Sequence, residues 1–227
     1  MKRIQPYYEI LTPISDGGIE ELKNIEKIGR TCYKSEDRIS ADGEAVSAKN
    51  FVAMLIRNGH EAMIEHSNLS VKFIIDRGLS HELVRHREAS FAQESTRYVN
   101  YASKKHGNRI QIIDIKDGIK YDSKYNSLTS DQINNIYNIW WKAVFQAETN
   151  YLKLIENGAS PQIARSVLPN STKTELIITA NYREWRHIFK LRTAKDAHPQ
   201  SREIMIPLLN ELKERIPVIF DDIEVEV

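Results

Sequence analysis

Residues 85–98 hold the densest set of groups in the chain that could bind an anion. The run begins Arg85-His86-Arg87 and continues through hydroxyl and amide side chains to Arg97. Arginine presents five N–H donors and stays charged at any working pH, so three arginines could hold phosphate groups through paired hydrogen bonds. Because His86 stands between two arginines, like charge should lower its pKa and favour the neutral imidazole. Taken alone, the run could also be a solvated basic helix end followed by a polar loop.

The composition is that of a globular protein without a bulk charge. The chain has 227 residues, of which 41% are hydrophobic and 28% charged, and its formal net charge is +1. A chain of this length can bury a sizeable core, and no linker rich in proline, glycine or serine divides it, so we expect a single domain over residues 1–227. The near-neutral balance argues against bulk electrostatic binding to nucleic acid or to a membrane. Any basic site must therefore be local.

The number of cysteines and the length of the apolar runs indicate in which cellular compartment the protein is expected. Cys32 is the only cysteine, which excludes an intrachain disulfide and a cysteine-rich metal site. The first residues lack the apolar segment of a secretory signal, and no apolar run approaches the ~20 residues that span a bilayer. We therefore expect a cytoplasmic protein with no membrane partner. Cys32 itself is interpreted as a small, partly buried apolar residue and not as a nucleophile.

The periodicity of the apolar residues predicts the elements that must position the basic run. Alternating or β-branched apolar stretches predict strands at residues 7–11, 69–75, 110–113 and 172–180. Helical spacing with end signals predicts helices at residues 19–28, 45–55, 80–87, 130–155, 160–168, 181–192 and 199–215. Gly29 is predicted to end the first of these helices, and Ser80 and Ser130 are predicted to cap the third and fourth.

The segments between these elements are polar and turn-rich. Residues 90–97 and 116–127 are predicted loops, and the second of them is a candidate mobile lid. The acidic tail at residues 217–227 leans towards β-structure. The fold class is therefore predicted to be α/β (α+β), with long helices packed on a small mixed or antiparallel sheet.

Two histidine–carboxylate pairs, His60-Glu61 and Glu65-His66, raise the question of a metal site. The two histidines are six residues apart in the sequence, whereas ligands on one face of a helix lie four apart. No metal site is therefore predicted here. Each histidine is interpreted as a structural residue or as a cofactor contact.

The basic run resembles the signature of the flavin-dependent thymidylate synthases, which is Arg-His-Arg-x-x-Ser followed by a polar stretch ending Ser-x-Arg-Tyr. The residues that match it in order and spacing are Arg85, His86, Arg87, Ser90, Ser95, Arg97 and Tyr98. The similarity extends over most of the chain. Residues 58–66 precede the signature as they do in the family. Residues 164–169, 181–183 and 191–192 resemble its helix-ending, cofactor and nucleotide elements.

The resemblance implies an enzyme that makes thymidylate (dTMP) from deoxyuridylate (dUMP). The carbon donor would be 5,10-methylenetetrahydrofolate, and FAD with NADPH would provide the hydride route. The resemblance also implies a homotetramer whose active sites borrow residues from more than one subunit, and small-molecule partners in place of nucleic acid. A dianionic nucleotide and the FAD pyrophosphate both need local cations, which the basic run supplies. The sequence lacks the glycine-rich loop of a Rossmann-type cofactor site.

The resemblance assigns roles to individual residues. Arg192 would be catalytic, because a fixed cation beside the uracil ring favours its N3-ionised form and makes C5 more nucleophilic. The dUMP contacts would be Glu82, Leu83, Val84, Arg85, Gln93, Glu94, Ser95, Thr96, Arg97, Arg165 and Arg192. The FAD contacts would be His60, Ala62, Arg85, His86, Arg87, Gln93, Asn181, Arg183 and His187. Ser95 is interpreted as a hydrogen-bonding residue and not as a nucleophile, since no base stands beside it in the sequence.

Some residues depart from the family pattern, namely Glu82, where glutamine is usual, and Ala62, Ala92 and His187. A carboxylate at position 82 would repel a phosphate unless it pairs with a neighbouring arginine or accepts a hydrogen bond from the sugar. Two alternatives stay open at this point. One is a non-catalytic nucleic-acid-binding protein that uses the Arg-His-Arg run, and the other is a flavoprotein that binds FAD but lacks folate chemistry.

Overall fold

The computed structural model describes residues 1–40 and 43–225. Its strands are β1 (Lys2–Ile4), β2 (Tyr7–Ile10), β3 (Asn68–Asp76), β4 (Ala89–Gln93), β5 (Gln111–Ile113) and β6 (Lys173–Asn181). Its α-helices are α1 (Ile19–Tyr33), α2 (Val46–Arg57), α3 (Arg77–Leu83), α4 (Ser130–Glu156), α5 (Pro161–Ala164), α6 (Tyr182–Arg192) and α7 (Pro199–Arg215). Short 3-10 helices include Glu61–His66, Gly118–Tyr121 and Ser123–Ser127. Within these described ranges, no helix combines the length and the apolar character that crossing a membrane requires.

Four strands form an antiparallel sheet in the order β2-β3-β6-β4. The central strands β3 and β6 pair along their whole length, from Asn68 opposite Asn181 to Asp76 opposite Lys173. The strands β1 and β5 form a separate parallel pair, which an isolated β-bridge connects to the start of β6. The prediction of long helices on a small antiparallel or mixed sheet is confirmed.

Side-chain alternation explains how helices cover one face of the sheet. Alternate residues from Leu69 to Ile75 on β3 and from Thr174 to Ala180 on β6 are buried. Helices α1, α2, α6 and α7 supply most of the other side chains of this main core. A second, smaller cluster lies under α4 and includes Tyr101, Val144 and Tyr151. Burial of these apolar faces is the main force that stabilises the sheet.

Residues 89–93 form strand β4, although the sequence predicted a loop from residue 90. The strand pairs with β6 from Ala89 opposite Ala180 to Gln93 opposite Leu176. The loop prediction is wrong for this stretch. The residues that make it a strand are distant in the sequence, so the local pattern of small and polar side chains carries little signal for it.

Helix α3 begins earlier than predicted. Asp76 caps it, since its Oδ1 accepts the backbone N–H of Leu79 at 2.6 Å. Ser80, the predicted cap, lies inside the helix, and its buried hydroxyl donates to the carbonyl of Arg77 at 2.9 Å. The helix therefore ends before the Arg-His-Arg run, which forms the turn leading into β4.

Helix α1 continues through Gly29 instead of ending there. It ends before Lys34, which adopts the left-handed conformation with a φ of 50°. A β-carbon at position 29 would lie 2.5 Å from the ring of Phe51 on α2. The predicted end at Gly29 is therefore wrong, because this glycine permits the close packing of two helices and does not serve as a C-cap.

Other boundaries differ less from the predictions. Helix α4 is capped by Thr129, one residue before the predicted cap, through reciprocal hydrogen bonds with Gln132. The predicted loop at residues 116–127 contains two short 3-10 helices, and its role as a lid stays a prediction. The tail forms bends and turns from residue 216 to residue 222, and residues 223–225 belong to no helix or strand. The predicted β-structure is therefore wrong for residues 217–225, of which Ile219, Phe220 and Ile223 are buried in the main core. Residues 226 and 227 lie outside the described residues.

Candidate active site

Strand register brings the Arg-His-Arg run next to helix α6. The first residue of β4 pairs with Ala180 near the end of β6, and α6 follows directly. His86, just ahead of β4, therefore lies against the first turns of α6. Asn181 caps this helix, since its Oδ1 accepts the backbone N–H of Glu184 at 2.8 Å. The helix ends at Arg192.

Arg192 is held by hydrogen bonds from three different nitrogens. Its Nη1 donates to the carboxylate of Glu82 at 2.8 Å, and its Nη2 donates to the backbone carbonyl of the same residue at 3.0 Å. Its Nε donates to Nε2 of His86 at 3.1 Å. The predicted catalytic arginine and two predicted ligand contacts, which are far apart in the sequence, therefore form one cluster.

His86 is neutral, and its tautomer follows from its neighbours. A guanidinium can only donate, so Nε2 of His86 must accept and Nδ1 must carry the proton. Nδ1 lies 3.1 Å from Oε1 of Glu184, to which it donates. Burial, followed by the charge of Arg192 and then His187, lowers the pKa of His86 to about 4. The expectation of a neutral His86 is confirmed, although burial, and not the flanking arginines, is the main cause.

Three arginines of the signature are exposed. Among the described residues, the side chains of Arg85 and Arg87 have no hydrogen-bond or ion-pair partner. Arg97 lies over the ring of Tyr98 at 5.4 Å from the ring centre, and Tyr98 is 80% exposed. The chain therefore offers several guanidinium groups that are free to bind phosphate oxygens.

Thr96 and Arg165 meet although they are distant in the sequence. Thr96 is buried, and its Oγ1 accepts from Nη1 of the exposed Arg165 at 3.3 Å. The Oγ of Ser95 accepts the backbone N–H of Arg97 at 3.3 Å. The hydroxyl of Thr96 therefore holds the guanidinium of Arg165 beside the signature, and the hydroxyl of Ser95 holds the backbone of Arg97. The assignment of these residues to dUMP stays a prediction.

Gln93 and Glu94 are engaged with protein partners. Nε2 of Gln93 donates to Oγ of Ser80 at 2.7 Å. The carboxylate of Glu94 accepts from Lys173 at 3.0 Å and from the hydroxyl of Tyr101 at 3.3 Å. A ligand that contacts either side chain would have to compete with these partners or use the backbone.

Leu83 and Val84, which were predicted to contact dUMP, differ in what they can offer. The side chain of Leu83 is fully buried in the main core, so only its backbone is available to a ligand. Val84 is 37% exposed and can present its side chain. The half-exposed carboxylate of Glu82 lines a cleft of about 480 Å³ together with Arg192 and His198. This cleft is called the second cleft below.

A larger cleft of about 550 Å³, called the first cleft below, lies on the side of His86 that faces Glu184. Its lining residues are Glu61, Glu65, Glu88, Asn181, Arg183, Glu184, Arg186, His187 and Lys190. Three of the predicted FAD contacts, Asn181, Arg183 and His187, are therefore brought together. The volume falls within the ~300–1,000 Å³ that is typical of small-molecule sites.

The remaining predicted FAD contacts on the N-terminal side lie near this cleft but do not line it. His60 directs its Nδ1 at the hydroxyl of Tyr33, 2.6 Å away. Ala62 is exposed on the 3-10 helix, whose neighbouring residues Glu61 and Glu65 line the cleft and pair with Arg183. This helix therefore contributes the acidic wall of the cleft.

The side chains of His86, Glu184 and His187 bring ligand-type atoms within 4.8 Å of one another, an arrangement that a metal could use. Both ring nitrogens of His86 are already engaged, one with Glu184 and the other with Arg192. A cation would have to displace one of these partners. We therefore interpret the group as a hydrogen-bonded relay, and His60 and His66 are not part of it.

The comparison with known proteins identifies the family. Residues 19–218 match the family model described as "Thymidylate synthase complementing protein". A flavin-dependent thymidylate synthase of Corynebacterium aurimucosum is 31% identical over 219 residues, which cover 93% of this chain and 84% of the relative. That of Corynebacterium efficiens is 32% identical over 216 residues, or 92% and 81% of the two chains. The chain belongs to the flavin-dependent thymidylate synthase family. The resemblance seen in the signature is confirmed.

A solved structure with the same architecture supports the fold of this family member. The UMP/dUMP methylase PolB of Streptomyces cacaoi, bound with 5-Br dUMP, superposes with a TM-score of 0.75. It is 24% identical, and the match covers 97% of this chain and 96% of that chain. At this identity the likeness concerns the fold alone. Membership of a synthase family favours the enzyme hypothesis over the nucleic-acid-binding alternative.

For this flavin-dependent thymidylate synthase family member, the geometry explains one departure and reveals one residue that the sequence did not suggest. Glu82, which departs from the usual glutamine, pairs with Arg192, the neighbour that its charge requires. Glu184 was missed, although its carboxylate accepts the hydrogen bond from Nδ1 of His86 and so belongs to the cluster. The signal that could have found it is its place in the first turn of α6, but this signal has meaning only once β4 is known to begin beside that turn.

Proposed function

We propose that this protein catalyses the reductive methylation of dUMP to dTMP, using 5,10-methylenetetrahydrofolate as the carbon donor and FAD with NADPH for the hydride. It would act as a single domain over residues 1–227. The observation that carries the proposal is the cluster of Arg192, His86 and Glu82, which lies between two clefts in a chain of the flavin-dependent thymidylate synthase family. The two clefts suit two ligands that must react with one another.

The phosphate of dUMP would bind the exposed arginines of the signature. Ser95 bonds the backbone of Arg97, and Thr96 bonds the guanidinium of Arg165, which brings this second arginine next to the signature. Each guanidinium can form paired hydrogen bonds with phosphate oxygens, and Arg85 provides a further free cation. Phosphate contacts of this kind fix the register of the nucleotide without taking part in the reaction.

Arg192 would stabilise the charge that develops on the uracil ring. Its guanidinium is preorganised by Glu82 and His86, so little reorganisation is needed when the ring ionises at N3. The neutral state of His86 matters here, because a protonated imidazole would direct an N–H group at the guanidinium and expel it. The second cleft, where Arg192 meets Glu82, is the site at which we expect the base.

The residues around the first cleft fit FAD. Its pyrophosphate needs cations and N–H donors. Arg183 inside the cleft would provide them by exchanging its partners Glu61 and Glu65 for the pyrophosphate, and the exposed Arg85 and Arg87 have no partner among the described residues. His187 lies 5.6 Å from His86, ring centre to ring centre, and offers a flat surface for the isoalloxazine or adenine ring. The flavin, when bound, supplies the hydride chemistry. The chain's own residues hold it and orient the nucleotide.

A homotetramer with shared active sites is part of the proposal. Arg85, Arg87 and Arg97 are exposed in a single chain, so a second copy would serve to bury a nucleotide against them. Helix α4 offers a surface for such contacts, since Ile139 and Phe145 on it are 61% and 54% exposed. Large exposed apolar side chains on one helix are typical of subunit interfaces.

The test combines a spectrum and an isotope assay. The purified protein should show the visible absorption bands of a flavin, and it should release tritium from C5-labelled dUMP only when methylenetetrahydrofolate and NADPH are both present. Absence of the flavin bands from protein reconstituted with FAD would contradict the proposal. A flavin spectrum with no folate-dependent release would instead favour the flavoprotein that lacks folate chemistry.

A further inference from the structure

Helix α6 carries Glu184, which lines the first cleft and contacts His86 but does not line the second cleft, where we expect the base. Glu184 accepts a hydrogen bond from Nδ1 of His86 at 3.1 Å, and Nε2 of the same ring accepts a hydrogen bond from Nε of Arg192 at 3.1 Å. The imidazole therefore links Glu184 to Arg192 through one hydrogen bond on each ring nitrogen. Glu184 has no direct contact with Arg192 in this arrangement.

A neutral imidazole has one N–H group and one lone pair, so its two partners must differ in type. Arg192 can only donate, and Glu184 as a carboxylate can only accept. Together they select the tautomer with the proton on Nδ1. The other tautomer would place two N–H groups face to face at Arg192 and leave the carboxylate opposite a lone pair.

Burial prevents water from replacing the two hydrogen bonds that select the tautomer of His86. The side chains of His86 and Glu184 are 4% and 11% exposed, so neither hydrogen bond can readily be replaced by solvent. The charged or titratable groups that face them are Arg192 from the end of α6, His187 from the next turn of α6, and Glu88 from the turn before β4. Only Arg192 can use the lone pair of His86 Nε2 in the observed geometry.

We propose that Glu184 is a positioning residue for Arg192, acting through the tautomer of His86. The inference rests on the proposed role of Arg192 at the uracil. The carboxylate fixes the proton on Nδ1, the free lone pair on Nε2 holds Nε of the guanidinium, and Glu82 holds the two terminal nitrogens. Loss of Glu184 would free the guanidinium plane to rotate about its remaining contacts with Glu82.

Two substitutions separate this role from packing alone. In Glu184→Gln the amide oxygen can still accept from Nδ1, so the tautomer should be retained and turnover should stay within about threefold of the wild type. In Glu184→Leu the acceptor is lost at similar volume, so the tautomer with the proton on Nε2 should appear. Turnover should then fall roughly tenfold to a hundredfold, with a change of less than about threefold in KM for dUMP.

The direct readout is the tautomer itself. ¹⁵N chemical shifts of labelled histidine in the FAD-loaded protein distinguish the two neutral forms, and the spectrum of His86→Gln assigns the resonances. Glu184→Asn, in which the acceptor is withdrawn by one methylene, replaces Glu184→Leu if the leucine variant does not fold, and the same results are expected. The proposal is overturned if His86 keeps the Nδ1 proton in the variant that lacks the acceptor, or if that variant turns over like the wild type.

The isotope assay and the tautomer report on different claims. If the wild-type protein releases no tritium from dUMP, the proposed function fails while the ¹⁵N shifts still decide whether Glu184 sets the tautomer. If the wild type is active and the tautomer does not respond to the loss of the acceptor, the relay fails while the proposed function stands.

Discussion

The carboxylate of Glu82 lies 2.8 Å from Nη1 of Arg192, and this ion pair joins the end of α3 to the end of α6. A glutamate beside a phosphate-binding sequence would be unfavourable if its charge were free. Here its charge is compensated by a guanidinium that also contacts the backbone carbonyl of the same residue. The pair therefore sets both the position of Arg192 and the amount of positive charge that a bound uracil would experience.

Replacing Glu82 by glutamine should strengthen nucleotide binding. The amide oxygen can still accept from Nη1 of Arg192, but the negative charge is removed, so the dianionic nucleotide meets a more positive site. We expect the Kd for dUMP to fall about threefold to tenfold at low salt, with a smaller change at high salt. Titration calorimetry on the FAD-loaded protein measures this. The matched control is Glu82→Ala, which loses the acceptor as well and should bind no better than the wild type.

Arg192→Ala should retain flavin and lose most turnover. Arg192 does not line the larger cleft, so FAD binding should be nearly unchanged, whereas removal of a preorganised cation should lower kcat by roughly a hundredfold or more. Arg192→Lys should be almost as impaired, because an ammonium cannot donate in the three directions that the planar guanidinium uses. The control is Arg57→Ala, an exposed arginine at the end of α2. Flavin absorbance and tritium release give the two readouts, and undiminished release by the alanine variant would contradict the assignment.

Stability should fall in mild acid because of His86. Its pKa is lowered to about 4, mainly by burial and then by Arg192 and His187. Between pH ~4 and the ordinary value of ~6.5, the unfolded chain binds a proton that the folded chain does not. The contribution of His86 is thus fully present above pH ~6.5 and is lost as the pH falls.

The matched variant for this prediction is His86→Gln, which cannot titrate. From pH 7.5 to pH 5.0 the wild type should lose about 2 kcal/mol more of its free energy of unfolding than the variant loses. Urea unfolding at the two pH values measures the difference. Equal losses in both proteins would show that His86 gains its proton as easily in the folded chain as in the unfolded one.

The elements that local patterns determine were predictable from the sequence. Strand β3 has alternating apolar residues, β6 is β-branched and apolar, and α4 and α7 have helical spacing with recognisable ends. Their existence and approximate limits therefore follow from residues near one another. The signature residues were found because their order and spacing resemble the pattern of a known family. The neutral state of His86 was expected from the flanking arginines, but its main cause is burial against α6, which no local pattern shows.

The parts that failed depend on contacts between distant residues. Strand β4 exists because β6 lies beside it, and Gly29 is explained by a phenylalanine on another helix. Glu184 became visible only when the register of β4 placed His86 at the start of α6. The candidate residues were therefore available from the sequence, whereas the hydrogen bonds that give them a chemical state required the fold.

Gly29→Ala should destabilise the protein even though alanine favours helix. The added methyl group would lie 2.5 Å from the ring of Phe51, a buried side chain that cannot move aside freely. Overpacking of this kind costs about 1–3 kcal/mol, and the gain in helix propensity is about 1 kcal/mol, so we expect a net loss of up to about 2 kcal/mol. Gly43→Ala is the control, because a β-carbon there meets no atom within 4 Å. Gly29→Ala should have a lower midpoint of thermal unfolding than Gly43→Ala. Equal midpoints would contradict the packing argument.

Glu203 on α7 should give the opposite pH dependence from His86. Its pKa is raised to about 7, first by burial and then by Asp117, with Lys120 opposing and Asp76 and Asp114 adding smaller increases. One carboxylate oxygen, Oε2, is buried without a hydrogen-bond partner among the described residues, and it lies 3.0 Å from where a β-carbon on Gly118 would be. Between the ordinary value of ~4.5 and pH ~7, the folded chain binds a proton that the unfolded chain does not, so stability falls as the pH rises through this window.

Glu203→Gln imitates the protonated side chain and should remove this loss. The variant should be about 1–3 kcal/mol more stable than the wild type at pH 8 and close to it at pH 4.5, because only the ionised form of Glu203 is penalised. Glu214→Gln makes the same change of charge at an exposed position of the same helix, and its effect should be small at both pH values. Urea unfolding of the three proteins at pH 4.5 and pH 8 tests this. A Glu203→Gln variant that gains no stability at pH 8 would mean that the buried carboxylate ionises in the folded protein without cost.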